Sequence, residues 1–176
     1  AASDVYKRQG GMAALTARSL AAELGSSAKP VFGLFENMQE VQDEVVRAAN
    51  AEYQSFLRAE MMRGAYPPYK ASGIAYIAFA RKEKELFKLL FMRDRTEEDS
   101  ETEDESIDGI IALISRNTGL SNEDARLFHL EMWIFVHGIA TMIVTGYLDW
   151  EEEYVSRTLT DVYEGLKARW CGGNGK

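Results

Sequence analysis

Leu15 to Val41, LTARSLAAELGSSAKPVFGLFENMQEV, is the stretch whose reading decides the fold. Leu15, Leu20 and Leu24, with Ala17 and Ala21 between them, place an apolar stripe on one face of a helix that Thr16 can cap. Arg18, Ser19, Ala22 and Glu23 fall mostly on the opposite face. Gly25 follows the last apolar residue, where a left-handed helix end favours glycine, and Ser26-Ser27 then offers a hydroxyl cap to a second helix. With Ser27 as cap, Pro30 sits in the first turn, where its missing N–H costs little. Val31, Phe32, Leu34 and Phe35 are the apolar residues of this short helix, and Asn37 with Glu40 resembles a cap pair for the next one. The spacing predicts a helix, a tight turn and a helix, with Ser26 to Gly33 facing the major groove of DNA.

Downstream, Val41, Val45, Ala49, Tyr53, Phe56, Leu57 and Met61 mark one face of a long amphipathic helix from Met38 to about Met62. Gly64 and Tyr66-Pro67-Pro68-Tyr69 end it, because each proline biases its predecessor away from helical torsions. Ile74, Ile77 and Phe79 suggest a helix to about Lys82, and Leu86 to Met92 another that is buried on most sides. Asp94 to Ser106, DRTEEDSETEDES, is a run of acids with almost no apolar content and reads as a mobile surface loop. It has no glycine for the turn of an EF-hand-like calcium loop. Ile107, Ile110, Ile111 and Ile114 form one helical face, Ser121 with Asp124 opens a long helix through Gly146, and a last helix runs from about Trp150 to Trp170. Nothing reads as strand, so the expected fold is all-α: a helix-turn-helix domain over residues 1–47 and a second helical domain over 48–176.

Composition narrows the function classes. With 176 residues, 46% of them hydrophobic, the chain can bury a sizeable core and reads as a soluble globular protein. Its net charge of -8 argues against indiscriminate attraction to nucleic acid. From Gly10 to Arg47 the bases are Arg18, Lys29 and Arg47, against Glu23, Glu36, Glu40, Asp43 and Glu44, so DNA affinity depends on pairing two subunits. Cys171 is the single cysteine, which excludes an internal disulfide or a thiolate metal cluster and fits a reducing cytoplasm. Ala1 to Gln9 lacks the apolar core of a signal peptide. Met132 to Leu148, the most membrane-like run, is short for a span and reads as a buried helix, so no membrane partner is expected.

The opening stretch resembles the DNA-binding end of the TetR family of bacterial transcriptional regulators. That family's pattern of a small residue and Arg before Leu-Ala, then Leu-Gly, then a recognition helix ending in aromatic-x-x-Phe is met by Arg18, Leu20-Ala21, Leu24-Gly25 and Phe32 to Phe35. The resemblance implies DNA contact by Thr16, Ala17, Arg18, Ser26, Ser27, Ala28, Lys29, Phe32, Asn37 and Met38. The family's usual tyrosine is Phe32 here and its usual lysine is Met38, so the interface lacks one hydroxyl and one charge. Ala1 to Gln9 does not look like the amphipathic first helix of such a domain, and these residues read as a non-native replacement for a truncated one, joined at Gly10-Gly11-Met12.

Within the long helix, Trp133, His137 and Gly138 stand as W-x-x-x-H-G, which resembles the TetR-like regulators whose C-terminal domain is named for a WHG motif. The resemblance implies a homodimer built on the last two long helices and a pocket for a small-molecule inducer. Tyr76, Phe79, Phe87, Met92, Trp133, His137 and Met142 are the candidate pocket residues, although at helical spacing such residues are more often simply core. For His137 the alternatives are ligand contact and a core histidine satisfied by a carbonyl or neighbouring side chain. His129 and His137 are roughly 12 Å apart along the helix axis, too far to share a metal. No Ser-His-Asp grouping, paired-carboxylate motif or phosphate-binding loop is recognisable, so no catalytic residue, metal or cofactor is assigned and no enzyme is expected. The expected function is a homodimeric cytoplasmic repressor that binds double-stranded operator DNA and is released by an unknown small-molecule inducer. The alternative is a helical ligand-binding or dimerisation module without effective DNA binding.

Overall fold

The computed structural model describes residues 15–27, 29–30, 32–93 and 104–172, the side chains of 104–106 excepted. Ala1 to Gln9, Ala28, and 94–103 of the acidic run lie outside the described residues. Seven α-helices are present among those described: α1 (Ala17–Glu23), α2 (Met38–Met62), α3 (Pro68–Lys82), α4 (Lys84–Phe91), α5 (Asp104–Thr118), α6 (Asn122–Val144) and α7 (Glu152–Gly172). The all-α expectation holds.

Helix ends follow local chemistry. The Thr16 hydroxyl accepts from the Ser19 N–H at 3.1 Å while the Ser19 hydroxyl accepts from the Thr16 N–H at 2.9 Å, a reciprocal cap on α1. At the other end of α1, Gly25 has φ +59, and the N–H of Ser26 reaches the Ala21 carbonyl at 3.0 Å. That geometry stops the helix and satisfies carbonyls that no further turn would use. Asn37 caps α2 by accepting from the Glu40 N–H at 3.0 Å, and Ser121 caps α6 by accepting from the Asp124 N–H at 3.1 Å. Gly146, φ +75, closes α6 as Gly25 closes α1.

One expected element is not seen among the described residues. In place of a second helix from Ser27, the described residues between 29 and 34 make consecutive turns, with a single helix-like bond from the Gly33 N–H to the Lys29 carbonyl at 3.1 Å. A helix this short needs packing to offset the cost of its first turn. Phe32 is 44% and Leu34 80% exposed, so these two supply little, and Gly33 weakens the middle further.

Contacts divide the chain into two compact units, one of residues 1–56 with 82–93 and one of residues 57–81 with 94–176. In the first unit, Leu15, Leu20, Val41, Val45 and Ala49 are buried, as are Leu86, Phe87, Leu89 and Leu90 of α4. Tyr53 meets Phe91 edge-on with ring centroids 5.2 Å apart, which ties α4 to α2. Burial there pushes the Tyr53 hydroxyl up to about 12.

In the second unit, α3 is a buried helix: Ala75, Phe79 and Ala80 have no exposed surface. In the same unit, Ile111 and Ile114 of α5 cluster with Ala125, Phe128 and Met132 of α6. Val162, Tyr163, Leu166 and Trp170 of α7 close over that cluster. α6 is long and apolar enough to cross a membrane by length and composition, yet 39% of its most apolar window is buried within the chain.

Candidate functional site

The described residues among those expected to touch DNA lie in the first unit. Arg18, Ser26, Ser27, Lys29, Phe32 and Asn37 are exposed, while Ala17 and Met38 are half-buried. Two of them already have local work, since Thr16 caps α1 and Asn37 caps α2. Among the described residues, Arg18 and Lys29 form no ion pair, so both cations are open to a phosphate. What differs from expectation is the support: Lys29 and Phe32 ride on turns rather than on a helix.

In the second unit, the geometry brings together three of the seven residues named for ligand contact. The Tyr76 hydroxyl lies 2.9 Å from His137 Nδ1. The Trp133 ring stacks on the His137 ring at 4.9 Å with 16° between planes. One register further along, the Tyr69 hydroxyl lies 3.0 Å from His129 Nδ1. Tyr69 and Tyr76 share one face of α3 as a heptad apart, and His129 and His137 share one face of α6, so two helices are joined by two parallel tyrosine–histidine pairs. His137 thus has a neighbouring side chain as partner, while Trp133 stays 43% exposed beside it.

The remaining candidates fall in both units. Phe79 is fully buried in the second unit, and Met142 is exposed on α6. Phe87, fully buried, and Met92, exposed, belong to the first unit. A surface groove of about 410 Å³ lies at the start of α7, lined by Asp149, Trp150, Glu151, Glu153, Tyr154 and Arg157. A crevice of about 20 Å³ beside Tyr66, lined also by Glu60, Arg63, Ala65, Ala71, Ile74 and Glu152, has room for about one water. None of the seven candidates lines either.

Both histidines titrate below the ordinary imidazole range because burial disfavours the charged ring. Burial likewise holds the Tyr69 hydroxyl protonated, with the neighbouring Tyr163 adding to the shift, so it can donate to an unprotonated His129 Nδ1. As pH falls below about 6.5, the unfolded chain protonates first and gains stability relative to the folded one. The stabilisation these histidines carry is therefore complete above that pH and is lost as pH falls through their lower folded values. We expect the urea midpoint to drop between about pH 7.5 and about pH 5, and His129→Gln to flatten part of that slope. Equal slopes for the two proteins would remove His129 from the explanation.

The comparisons with known proteins agree with this architecture. A crystal structure of a TetR-like transcriptional regulator from Rhodococcus sp. RHA1 superposes with a TM-score of 0.65 at 15% identity, covering 99% of this chain and 92% of that one. At that identity the match speaks for the fold alone. No curated protein matches the sequence. Residues 69–163, more than half the chain, match the family described as "Tetracyclin repressor-like, C-terminal domain". That span takes in both tyrosine–histidine pairs, the Trp133 stack and most of α7, and through it the chain belongs to the TetR-like family of transcriptional regulators.

Proposed function

We propose that this chain is a bacterial cytoplasmic repressor of the WHG subtype, which binds a palindromic operator as a homodimer and is released by a small-molecule ligand of its C-terminal domain. The observation that carries the reading is the family match over α3 to α7, together with an N-terminal unit in which Arg18 and Lys29 form no ion pair among the described residues. The family is one of regulators and not of enzymes. Arg18 and the Ser26 to Gly33 segment would meet phosphate and base edges. Two copies would place these segments in successive major grooves, about 34–36 Å apart. Release follows if the inducer prefers a conformation with another spacing, because a ligand of equal affinity for both conformations shifts nothing.

The open face of α6 supports the homodimer. Leu127, Leu130 and Ile134 are 47%, 49% and 58% exposed and continue into Gly138, Thr141 and Thr145 on the same stripe. A large apolar strip of this kind marks an interaction surface.

A second reading, a helical ligand-binding or dimerisation module without effective DNA binding, is favoured by the turns that replace a helix after Lys29. Selection of bound sequences from random DNA separates the two. The first reading expects an enriched palindrome. On it, Arg18→Ala or Lys29→Ala should each weaken binding by roughly tenfold and lower the salt slope by about 1, with the dimer intact. A dimeric protein that enriches no sequence is the second reading.

A further inference from the structure

We propose that Glu40 is an electrostatic brake on DNA binding: its carboxylate fills the N-terminal end of α2, where a DNA backbone phosphate would otherwise dock. The inference rests on the DNA-binding reading and names a residue that sets the affinity of that same surface. The N-terminal end of a helix is positive, and its open N–H groups attract anions. In α2 this end follows the segment that carries Lys29 and Phe32, and Asn37 and Met38 at the end itself are among the residues expected to touch DNA. Here the end is filled from within the chain. Glu40 Oε2 accepts from the Glu36 N–H at 2.7 Å, and Asn37 Oδ1 accepts from the Glu40 N–H at 3.0 Å.

The two bonds differ in consequence. The Asn37 carboxamide is neutral and leaves the helix end positive. The Glu40 carboxylate sets a full negative charge against roughly half a positive charge from the aligned peptides, so the sign of the end is reversed. Its bond to the Glu36 N–H keeps that charge at the helix end instead of letting it swing into solvent. Nothing basic in the first turns of α2 offsets it: Met38 opens the helix, Gln39 donates to Asp43 at 2.9 Å, and the next base, Arg47, is held by Glu44 at 2.6 Å. Arg18 and Lys29 therefore attract phosphate against one fixed carboxylate in each copy. A penalty directed at phosphates acts on every sequence alike, so the brake lowers affinity without altering base preference.

Glu40→Gln tests the brake, because the glutamine oxygen can still accept from the Glu36 N–H while the charge is gone. Fluorescence anisotropy with a mixed-sequence duplex of about 30 base pairs, long enough for two half-sites, reads the affinity. At about 50 mM salt the variant should bind roughly threefold to tenfold more tightly than the wild type, and its salt slope should be steeper by about 1. The gain should shrink as salt rises, which the repair of a merely structural fault would not do. Asn37→Asp keeps an oxygen for the Glu40 N–H but adds a charge, and it should weaken binding by a similar factor. Glu153→Gln makes the same change in net charge within the second unit and should alter affinity by less than about twofold. Far-UV circular dichroism checks that each variant folds. A wild type that binds the duplex, with Glu40→Gln no tighter than Glu153→Gln and Asn37→Asp no weaker than the wild type, would overturn the brake and leave the DNA-binding reading standing. A wild type that binds no duplex even at low salt would overturn that reading, and the brake with it.

Discussion

Phe128→Ala is expected to destabilise the second unit by about 3–5 kcal/mol. The phenyl ring is fully buried, sits among Ile111, Ile114 and Met132, and meets the Tyr163 ring edge-on at 5.4 Å. Truncation removes the transfer energy of that ring and leaves a cavity between α5, α6 and α7. The edge-on contact adds about 0.5–1.5 kcal/mol beyond area alone, and it is lost as well. Trp133, Trp150 and Trp170 all lie in the second unit, so tryptophan fluorescence during urea unfolding follows that unit selectively. A shift in the unfolding free energy below about 1 kcal/mol would mean that α5 to α7 do not depend on this core.

Much of this architecture was legible because it is written in short-range chemistry. Thr16, Asn37 and Ser121 are side chains that cap backbone amides three residues on, and Gly25 and Gly146 adopt the left-handed torsions that end a helix. Such signals need no knowledge of the rest of the chain, and each fell where the helices begin and stop. The buried stripe of Val41, Val45 and Ala49 was equally plain, since a 3.6-residue period is a local property.

What could not be read depends on partners distant in sequence. The segment after Ser27 has a cap, a proline in the right turn and an apolar run, so locally it reads as helix. Its failure to form one reflects how little surface Phe32 and Leu34 bury. Lys82–Arg93 joins the N-terminal unit through Tyr53 and Phe91, a contact that no spacing along α4 announces. The Tyr69–His129 and Tyr76–His137 pairs span about sixty residues, although the repeat of tyrosines on α3 and of histidines on α6 held a clue to their matching phase. Of the candidate ligand residues, Trp133, His137 and Tyr76 meet within the second unit, while Phe87 and Met92 belong to the first, because apolar composition marks burial without saying against what.

Gly138→Leu should separate the stability of the chain from its self-association. Gly138 lies in the interior of α6, where glycine costs a helix about 1 kcal/mol relative to alanine, and a Cβ built there would meet nothing within 4 Å, so no close packing inside the chain returns that cost. Leucine should therefore be accepted by the isolated chain and should strengthen α6 by a few tenths of a kcal/mol or more. In the proposed homodimer, the second copy approaches along the stripe of Leu130, Ile134, Gly138 and Thr141. Overpacking costs roughly 1–3 kcal/mol per site, and a two-fold axis imposes it twice, so the dimer dissociation constant should rise by about two orders of magnitude. Because dimerisation itself stabilises the fold by mass action, melting is best compared at concentrations where both proteins are monomeric. There the variant should melt no lower than the wild type, while sedimentation at micromolar concentration shows the wild type as dimer and the variant as monomer. A variant that still dimerises with wild-type affinity would place the contact elsewhere on the molecule and leave Gly138 as a cost that neither the fold nor the assembly explains.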